Sequence, residues 1–363
     1  MKLAPPDFAP RPARHAGRTF SANLDAWRFI LIVLVVVNHA FILQEDVGAQ
    51  GSAVERAIVA LTRAAVPALS VLSGYLLAAS RPAGLRDQLG RKARSLILPF
   101  LVWNTAVILL LLVANEIWPF WPEALLARQS TYELVNSLTA FHGAPANAPL
   151  YFLRDLFLCF LAFSVLRRVA GTPAGFALMF GFALANYAFE FDGRIIIRDT
   201  IPLFFLLGIG LHLSPVALAA CARWAAPLAI VALALLPAWA FGGTWWGAPS
   251  LLEIGTLAVF AALVVGLAQR LRPEAWLSEW GRGYSFIIFL SHWWTLRLLA
   301  CALHAIGAPA AVFEALAAPV AVLAGIALAR LVARLPSPIA AAVSGGRVAP
   351  PRAWWPRLHE ARS

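Results

Sequence analysis

Charged residues are scarce in this sequence, which limits the classes of protein that it can encode. Asp, Glu, Lys and Arg make up 13% of the 363 residues, while hydrophobic residues make up 61%. A soluble domain carries about 25% charged residues, because even a large core needs a solvated surface around it. The composition therefore excludes an ordinary water-soluble enzyme and favours a chain that lies mostly in a membrane.

Cysteine is also rare, and the few cysteines are far apart. Cys159, Cys221 and Cys301 each lie in an apolar run, without a CxxC pair or the spacing of metal ligands. They are interpreted as small hydrophobic residues. Their spacing excludes a disulfide framework and a zinc site built on thiolates, and we expect no metal.

Long apolar runs with almost no charge recur along the chain, which is typical of membrane-spanning helices. We predict an all-α, polytopic membrane helix bundle with about ten transmembrane helices. The predicted spans cover residues 26–43, 57–79, 96–114, 149–166, 174–190, 199–213, 224–241, 250–268, 284–303 and 310–333.

The positions of Lys and Arg predict the orientation of these spans. With the N-terminus in the cytoplasm, most of the 29 basic residues fall in cytoplasmic segments, so both termini are predicted to be cytoplasmic. The net charge of +11 is thus explained without a nucleic-acid partner. We predict a disordered tail over 1–22, a membrane domain over 23–335 and a C-terminal cytoplasmic tail over 336–363.

The first span carries a polar stripe that an ordinary span lacks. Arg28 and His39 are eleven residues apart, which places them within about 20° on the helical wheel and roughly 16 Å apart along the axis. Asp25 lies on the same side. Ionisable groups inside spans usually face a cavity, a partner or a substrate. Alternatively, Asp25 and Arg28 are interfacial anchors and His39 makes a contact between helices.

Other polar residues in or beside spans have structural as well as functional interpretations. Arg91 and Arg94 are one helical turn apart and could hold one anion, yet they could equally set topology or meet an acidic lipid. Ser285 and His292 share one face of the ninth span. The remaining candidates are Tyr75 and Gly74 in the second span, with packing as the expected role of Gly74, and a possible Arg154–Asp155 ion pair in the fourth.

Together these motifs resemble acyltransferase family 3, bacterial membrane enzymes that O-acylate exopolysaccharides, lipopolysaccharide, peptidoglycan and related glycans. The resemblance covers roughly residues 21–333, and the order and spacing of the motifs make it specific. Its motifs are Arg28-x10-His39, Val66–Ala78, Arg91-x-x-Arg94, Ala148–Leu161, Ile201–Leu211 and Tyr284–Trp294. Tyr151 stands where the family usually has Trp, and the Arg154-Asp155 pair is uncommon, which puts the substrate in doubt.

The resemblance implies an O-acyltransferase of the bacterial inner membrane. It implies that Arg28 and His39 are catalytic and that Arg91 and Arg94 bind acetyl-CoA or another acyl-CoA donor. Further substrate contacts are predicted at Tyr75, Arg154, Asp155, Ser285 and His292.

The implied acceptor is a glycan or lipid-linked oligosaccharide, with an exopolysaccharide preferred. Membrane lipids and other polysaccharide assembly proteins are the further expected partners. His39 would act as a general base or as a nucleophile. Two non-enzymatic alternatives remain open, namely a transporter or flippase and a non-catalytic ligand-sensing module.

Overall fold

The computed structural model describes residues 14–46, 53–80, 84–117, 130–193, 195–242 and 250–348. Within these ranges every regular element is helical. The helices are α1 (Arg14–Asp46), α2 (Ala53–Arg63), α3 (Ala65–Ala79), α4 (Leu85–Lys92), α5 (Leu98–Ile117), α6 (Thr131–Thr139), α7 (Tyr151–Val165), α8 (Arg167–Ala170), α9 (Pro173–Phe189), α10 (Thr200–Leu213), α11 (Pro215–Arg223), α12 (Ala225–Gly242), α13 (Leu251–Arg270), α14 (Ala275–Gly283), α15 (Ser285–Ala305), α16 (Ala310–Val332) and α17 (Ser337–Ser344). A π-helical turn (Ala93–Ile97) joins α4 to α5, and a 3₁₀ turn (Ala148–Leu150) precedes α7.

The predicted polytopic helical fold is confirmed, with a difference in the number of full-length spans. In the described residues seven helical segments are long and apolar enough to cross a bilayer, and α10 with α11 forms a further pair bent by 101°. The fifth and seventh predicted spans correspond to α9 and α12, which are shorter apolar helices. The sixth predicted span, 199–213, corresponds to α10, which ends at Leu213 because Ser214 caps the next helix and Pro215 begins it.

α1 lies at the centre of the bundle, where it packs against α2, α3, α13, α14, α15 and α16. The most extensive helix–helix contact joins α3 to α10. At this contact a Cβ on Gly74 would overlap the carbonyl oxygen of Phe205, and a Cβ on Gly208 would overlap that of Val71. Only glycine permits such a close approach of two backbones, so the predicted packing role of Gly74 is confirmed.

Both predicted tails contain helical residues in the structure. α1 begins at Arg14, within the predicted N-terminal tail, and α17 lies within the predicted C-terminal tail and packs against α5. Residues 1–13 and 349–363 lie outside the described ranges. The end of the bundle that carries the start of α15 and the end of α16 is called the inner end, because it is cytoplasmic in the predicted orientation.

Candidate active site

Two histidines from helices far apart in the sequence meet inside the bundle. His39 on α1 and His292 on α15 approach each other with 3.2 Å between His39 Nδ1 and His292 Nε2. Their ring centroids are 5.0 Å apart. The sequence predicted roles for both residues but did not predict that they contact each other.

The backbone carbonyls around the pair determine which nitrogens carry protons. His292 Nδ1 lies 2.7 Å from the carbonyl oxygen of Phe289, and His39 Nδ1 lies 2.9 Å from that of Val35. A carbonyl only accepts, so both Nδ1 atoms must be N–H donors. His292 Nε2 is then an acceptor that shares the single proton on His39 Nδ1 with the carbonyl of Val35. It follows that neutral His39 carries a bare lone pair on Nε2.

The His39 ring contacts a second aromatic ring besides that of His292. The Trp293 ring lies edge-on at 5.3 Å from it, on the same helix as His292. His292 is fully buried, whereas His39 retains accessible surface. His39 is therefore the member of the pair with accessible surface, while its predicted catalytic role and the predicted substrate contact of His292 stay predictions.

On the outer side, Asp155 fixes the segment that precedes α10. Its buried carboxylate pairs with Arg154 at 2.7 Å, which confirms the predicted ion pair. Its other oxygen accepts the backbone N–H groups of Ile197 and Arg198 at 3.0 and 3.1 Å. The described contacts thus give Asp155 a positioning role, while the predicted substrate contact of this residue and of Arg154 stays a prediction.

The segment held by Asp155 brings a positive charge towards His39. The charge of Arg198 acts on His39, and its guanidinium lies 5.8 Å from the ring centroid of Tyr151. Sequence reasoning missed this residue, because nothing local distinguishes Arg198 from an arginine that only sets topology. Arg198 is therefore a further candidate residue on the outer side of the histidine pair.

Asp199, the next residue, immediately precedes the first residue of α10 and lies in a crowded acidic environment. Burial, followed by the charges of Asp192 and Glu190, raises the pKa of Asp199 to about 6. Asn186 donates a hydrogen bond to its carboxylate at 2.7 Å. Protonation of Asp199 therefore affects the same outer segment that carries Arg198.

A second outer segment enters the bundle beside the histidines. Asn147 is fully buried. Its backbone N–H donates to Asn104 Oδ1 on α5 at 2.8 Å, and its side-chain amide donates to the carbonyl of Leu290 on α15 at 2.9 Å. This segment thus links α5 to α15, and its contact on α15, Leu290, lies two residues before His292 in the sequence. The sequence also places Trp118, Phe120, Trp121 and Tyr132 in this outer connection, where they suit an interfacial helix or a carbohydrate-contacting surface; Trp118, Phe120 and Trp121 lie outside the described residues.

At the inner end, Arg28 pairs with Asp25 at 2.9 Å and keeps 37% of its side chain exposed. Eleven residues of helix, about 16 Å, separate it from His39, so its catalytic role stays a prediction and could not involve direct contact with His39.

Arg91 and Arg94 are both exposed, and their predicted binding of CoA likewise stays a prediction. Between them, Lys92 turns inward and its Nζ lies 4.0 Å from the ring centroid of Phe160.

Two other candidates have local partners in the structure. The Ser285 hydroxyl donates to the carbonyl of Gly281, one turn earlier. The Tyr75 ring lies edge-on at 5.4 Å from that of His212. Neither contacts the histidine pair in the described contacts, so their substrate-binding roles are still predictions. In the described residues no group of three His, Cys, Asp or Glu could hold a metal ion.

Comparison with known proteins gives the family. The family model described as "Acyltransferase domain" matches residues 21–334. The succinoglycan biosynthesis protein ExoH of Rhizobium meliloti (strain 1021) is 31% identical over 250 residues, which cover 64% of this chain and 65% of that protein. The match therefore spans just under two thirds of the length of this relative. No solved structure matches the chain. The family model covers nearly all of the helical bundle and both histidines, and the chain therefore belongs to acyltransferase family 3, as its motifs predicted.

Proposed function

We propose that this protein transfers an acetyl or other short acyl group from cytoplasmic acyl-CoA to a hydroxyl of an extracytoplasmic glycan, with an exopolysaccharide as the preferred acceptor. Family membership supports an O-acyltransferase in a membrane. The similarity to a succinoglycan biosynthesis protein supports a polysaccharide acceptor. The observation that carries the chemistry is the His39–His292 pair, which leaves one basic nitrogen bare inside the bundle.

His39 serves as the general base in this mechanism. Its Nε2 takes the proton of the acceptor hydroxyl while the hydroxyl oxygen attacks the thioester carbonyl, forming the C–O bond. The C–S bond then breaks, and the leaving thiolate takes the proton back from Nε2, which releases free CoA thiol. His39 is positively charged between these steps, and the lone pair of His292 Nε2 stabilises the resulting imidazolium by accepting its Nδ1–H.

Arg198 supplies the matching electrostatic contribution. Negative charge develops on the carbonyl oxygen as the hydroxyl attacks, and a fixed cation in a site of low dielectric stabilises such charge strongly. The charge of Arg198 acts on His39, and Asp155 fixes its backbone. This arrangement supports entry of the acceptor from the outer side, while the exposed Arg91 and Arg94 lie towards the inner end for the donor.

The direct test uses purified protein, acetyl-CoA labelled in the acetyl group and the polysaccharide of the producing cell. We expect label on the polysaccharide with the wild-type protein and a loss of roughly 10²- to 10⁴-fold with His39→Ala, the usual contribution of a general base. Unlabelled polysaccharide and intact acetyl-CoA with folded wild-type protein would instead favour a transporter or a sensing module.

The same experiment without acceptor separates a base from a nucleophile. A general base forms no covalent bond to the acyl group, so we expect no acetylated histidine by mass spectrometry of the protein after incubation with acetyl-CoA. An acetyl group on His39 that disappears when polysaccharide is added would assign the nucleophilic mechanism.

A further inference from the structure

Residues 337–348 lie beyond the match to the family model, yet they return to the inner end of the bundle. α17 packs against α5, and the indole N–H of Trp103 donates to the carbonyl of Val343 at 3.0 Å. The C-terminal segment is thus a docked element of the bundle.

A turn of two glycines directs the chain after α17 back towards the helices. Gly345 and Gly346 have φ values of +62° and +73°, which side chains with a Cβ rarely adopt. A Cβ on Gly345 would also lie 2.6 Å from the carbonyl oxygen of Ser95 in the π-helical turn. Residue 345 must therefore be glycine both for its backbone conformation and for its close contact with Ser95. The turn places the side chain of Arg347 against the bundle.

The guanidinium of Arg347 is held in place but lacks a partner for one of its nitrogens. It lies 3.9 Å from the ring centroid of Phe286, at the start of α15. Its Nη1 is buried and has no hydrogen-bond partner among the described residues. Burial and, less strongly, the charge of Arg28 lower the pKa of Arg347 to about 10, so the group remains charged at neutral pH.

Arg347 belongs to a group of cations at the inner end. The charges of Arg347, Arg28 and Arg91 all act on Lys92, and that of Arg28 acts on Arg347. Within the described part of the chain, Asp25 pairs with Arg28, while Lys92 and Arg347 form no ion pair. Burying like charges together with an unsatisfied donor is unfavourable unless an anion joins them.

We propose that Arg347, Lys92 and Arg28 bind the phosphate groups of the acyl donor, with Arg347 supplied by the C-terminal segment. The identification of the donor as acyl-CoA rests on the proposed function. The chemistry suits this ligand because a guanidinium donates paired, charge-assisted hydrogen bonds to the oxygens of a phosphate. The headgroup phosphate of an anionic lipid has the same chemistry, and the experiment separates the two sources.

The experiment measures binding of three donors to the full-length protein in nanodiscs of phosphatidylcholine. They are acetyl-CoA, its 3′-dephospho form and S-acetylpantetheine, which has no phosphate. We expect Arg347→Ala to raise the Kd for acetyl-CoA roughly tenfold to hundredfold, the effect of losing one hydrogen bond to a charged group. Binding of S-acetylpantetheine is unchanged. Arg347→Lys keeps the charge and shows a smaller loss, and Arg334→Ala, an exposed arginine near the end of α16, serves as the matched control and binds like the wild type.

The possible outcomes separate this inference from the proposed function. If the wild type binds acetyl-CoA and folded Arg347→Ala binds it with the same affinity, the phosphate site is wrong and the proposed function stands. Failure of the wild type to bind any CoA derivative overturns the donor assignment and the site with it. If phosphatidylglycerol in the nanodiscs raises the Tm of the wild type but not of Arg347→Ala, and acetyl-CoA affinity is the same in both, the site binds a lipid headgroup and the inference is wrong.

Discussion

Replacement of His292 tests the histidine pair most informatively, because the proposed mechanism gives this side chain a role in stabilising His39 and none in contacting the reacting groups. His292→Leu removes the acceptor that lies 3.2 Å from His39 Nδ1 while nearly preserving the buried volume. The helix carbonyls that His292 contacts keep their own helical hydrogen bonds. We therefore expect the variant to fold with a Tm close to that of the wild type.

The expected loss of activity follows from the charge that His39 gains during the reaction. A hydrogen bond to a charged group contributes about 1.5–3 kcal/mol, and each 1.36 kcal/mol of barrier is about tenfold in rate. Because the bond strengthens only when His39 is protonated, kcat should fall roughly tenfold to 150-fold. The KM for acetyl-CoA should stay unchanged.

The assay is steady-state transfer of labelled acetyl groups to the polysaccharide by purified protein. His292→Gln, whose amide oxygen can accept the same proton, is expected to recover part of the rate. His304→Leu replaces an exposed histidine at the far end of α15 and should behave like the wild type. A kcat for folded His292→Leu within twofold of wild type would refute the pairing as a catalytic device.

Three further substitutions test the structure around the site. Asp155→Ala leaves Arg154 unpaired in a buried setting and should destabilise the protein by about 3–5 kcal/mol, with a smaller loss for Asp155→Asn; chemical unfolding in detergent measures both. Asp199 has a raised pKa of about 6, so the folded state holds its proton more tightly than the unfolded chain, and stability falls as the pH rises from about 4 to 6. Asp199→Asn should therefore raise the Tm at pH 7.5 and change it less at pH 4.5, and equal shifts at both values would contradict this. Gly74→Ala should lower stability by about 1–3 kcal/mol through overpacking, whereas the control Gly255→Ala, which meets nothing within 4 Å, should have no such cost.

The membrane architecture could be predicted from the sequence because hydropathy is a local property. Each of the ten predicted spans corresponds to helical structure, the second of them to α2 and α3 in succession, since an apolar segment in lipid must satisfy its backbone groups internally. The bounds of the sixth span, 199–213, agree with those of α10, but the bend that follows it was not predicted. α10 ends at Leu213 because of the Ser214-Pro215 pair that follows it, and the 101° bend there depends on packing that hydropathy does not record.

The candidate residues of the site could be predicted from the sequence, but the residues that they contact could not be predicted. Helix phase places Arg28 and His39 on one face, and His292 stands out as an ionisable group in a span. The contact between His39 and His292 joins residues 253 positions apart. Helical periodicity relates residues within one helix, so it could not predict this contact. The pairing of Asp155 with Arg154 is predicted correctly, while the bonds of Asp155 to the backbone before α10 depend on tertiary structure.

The inner cations show a second limit of sequence reasoning. The prediction pairs Arg91 with Arg94 because residues three apart share a face of an α-helix. The π-helical turn over Ala93–Ile97 changes the local register, and Lys92 is the residue that points inward. Arg347 falls in a predicted tail because it follows the last span. Its position depends on the glycine turn and on the docking of α17, which only the folded chain displays.

The central claim is that the bare nitrogen of His39 acts as the general base when an acyl group is transferred from a donor at the inner face to an acceptor outside. Right-side-out membrane vesicles loaded with acetyl-labelled acetyl-CoA, with polysaccharide added only outside, measure this directly. We predict label on the external polysaccharide with the wild-type protein and a loss of at least about 100-fold with His39→Ala. Label transferred at the wild-type rate by His39→Ala, or transfer only when donor and acceptor are on the same side, would contradict the account.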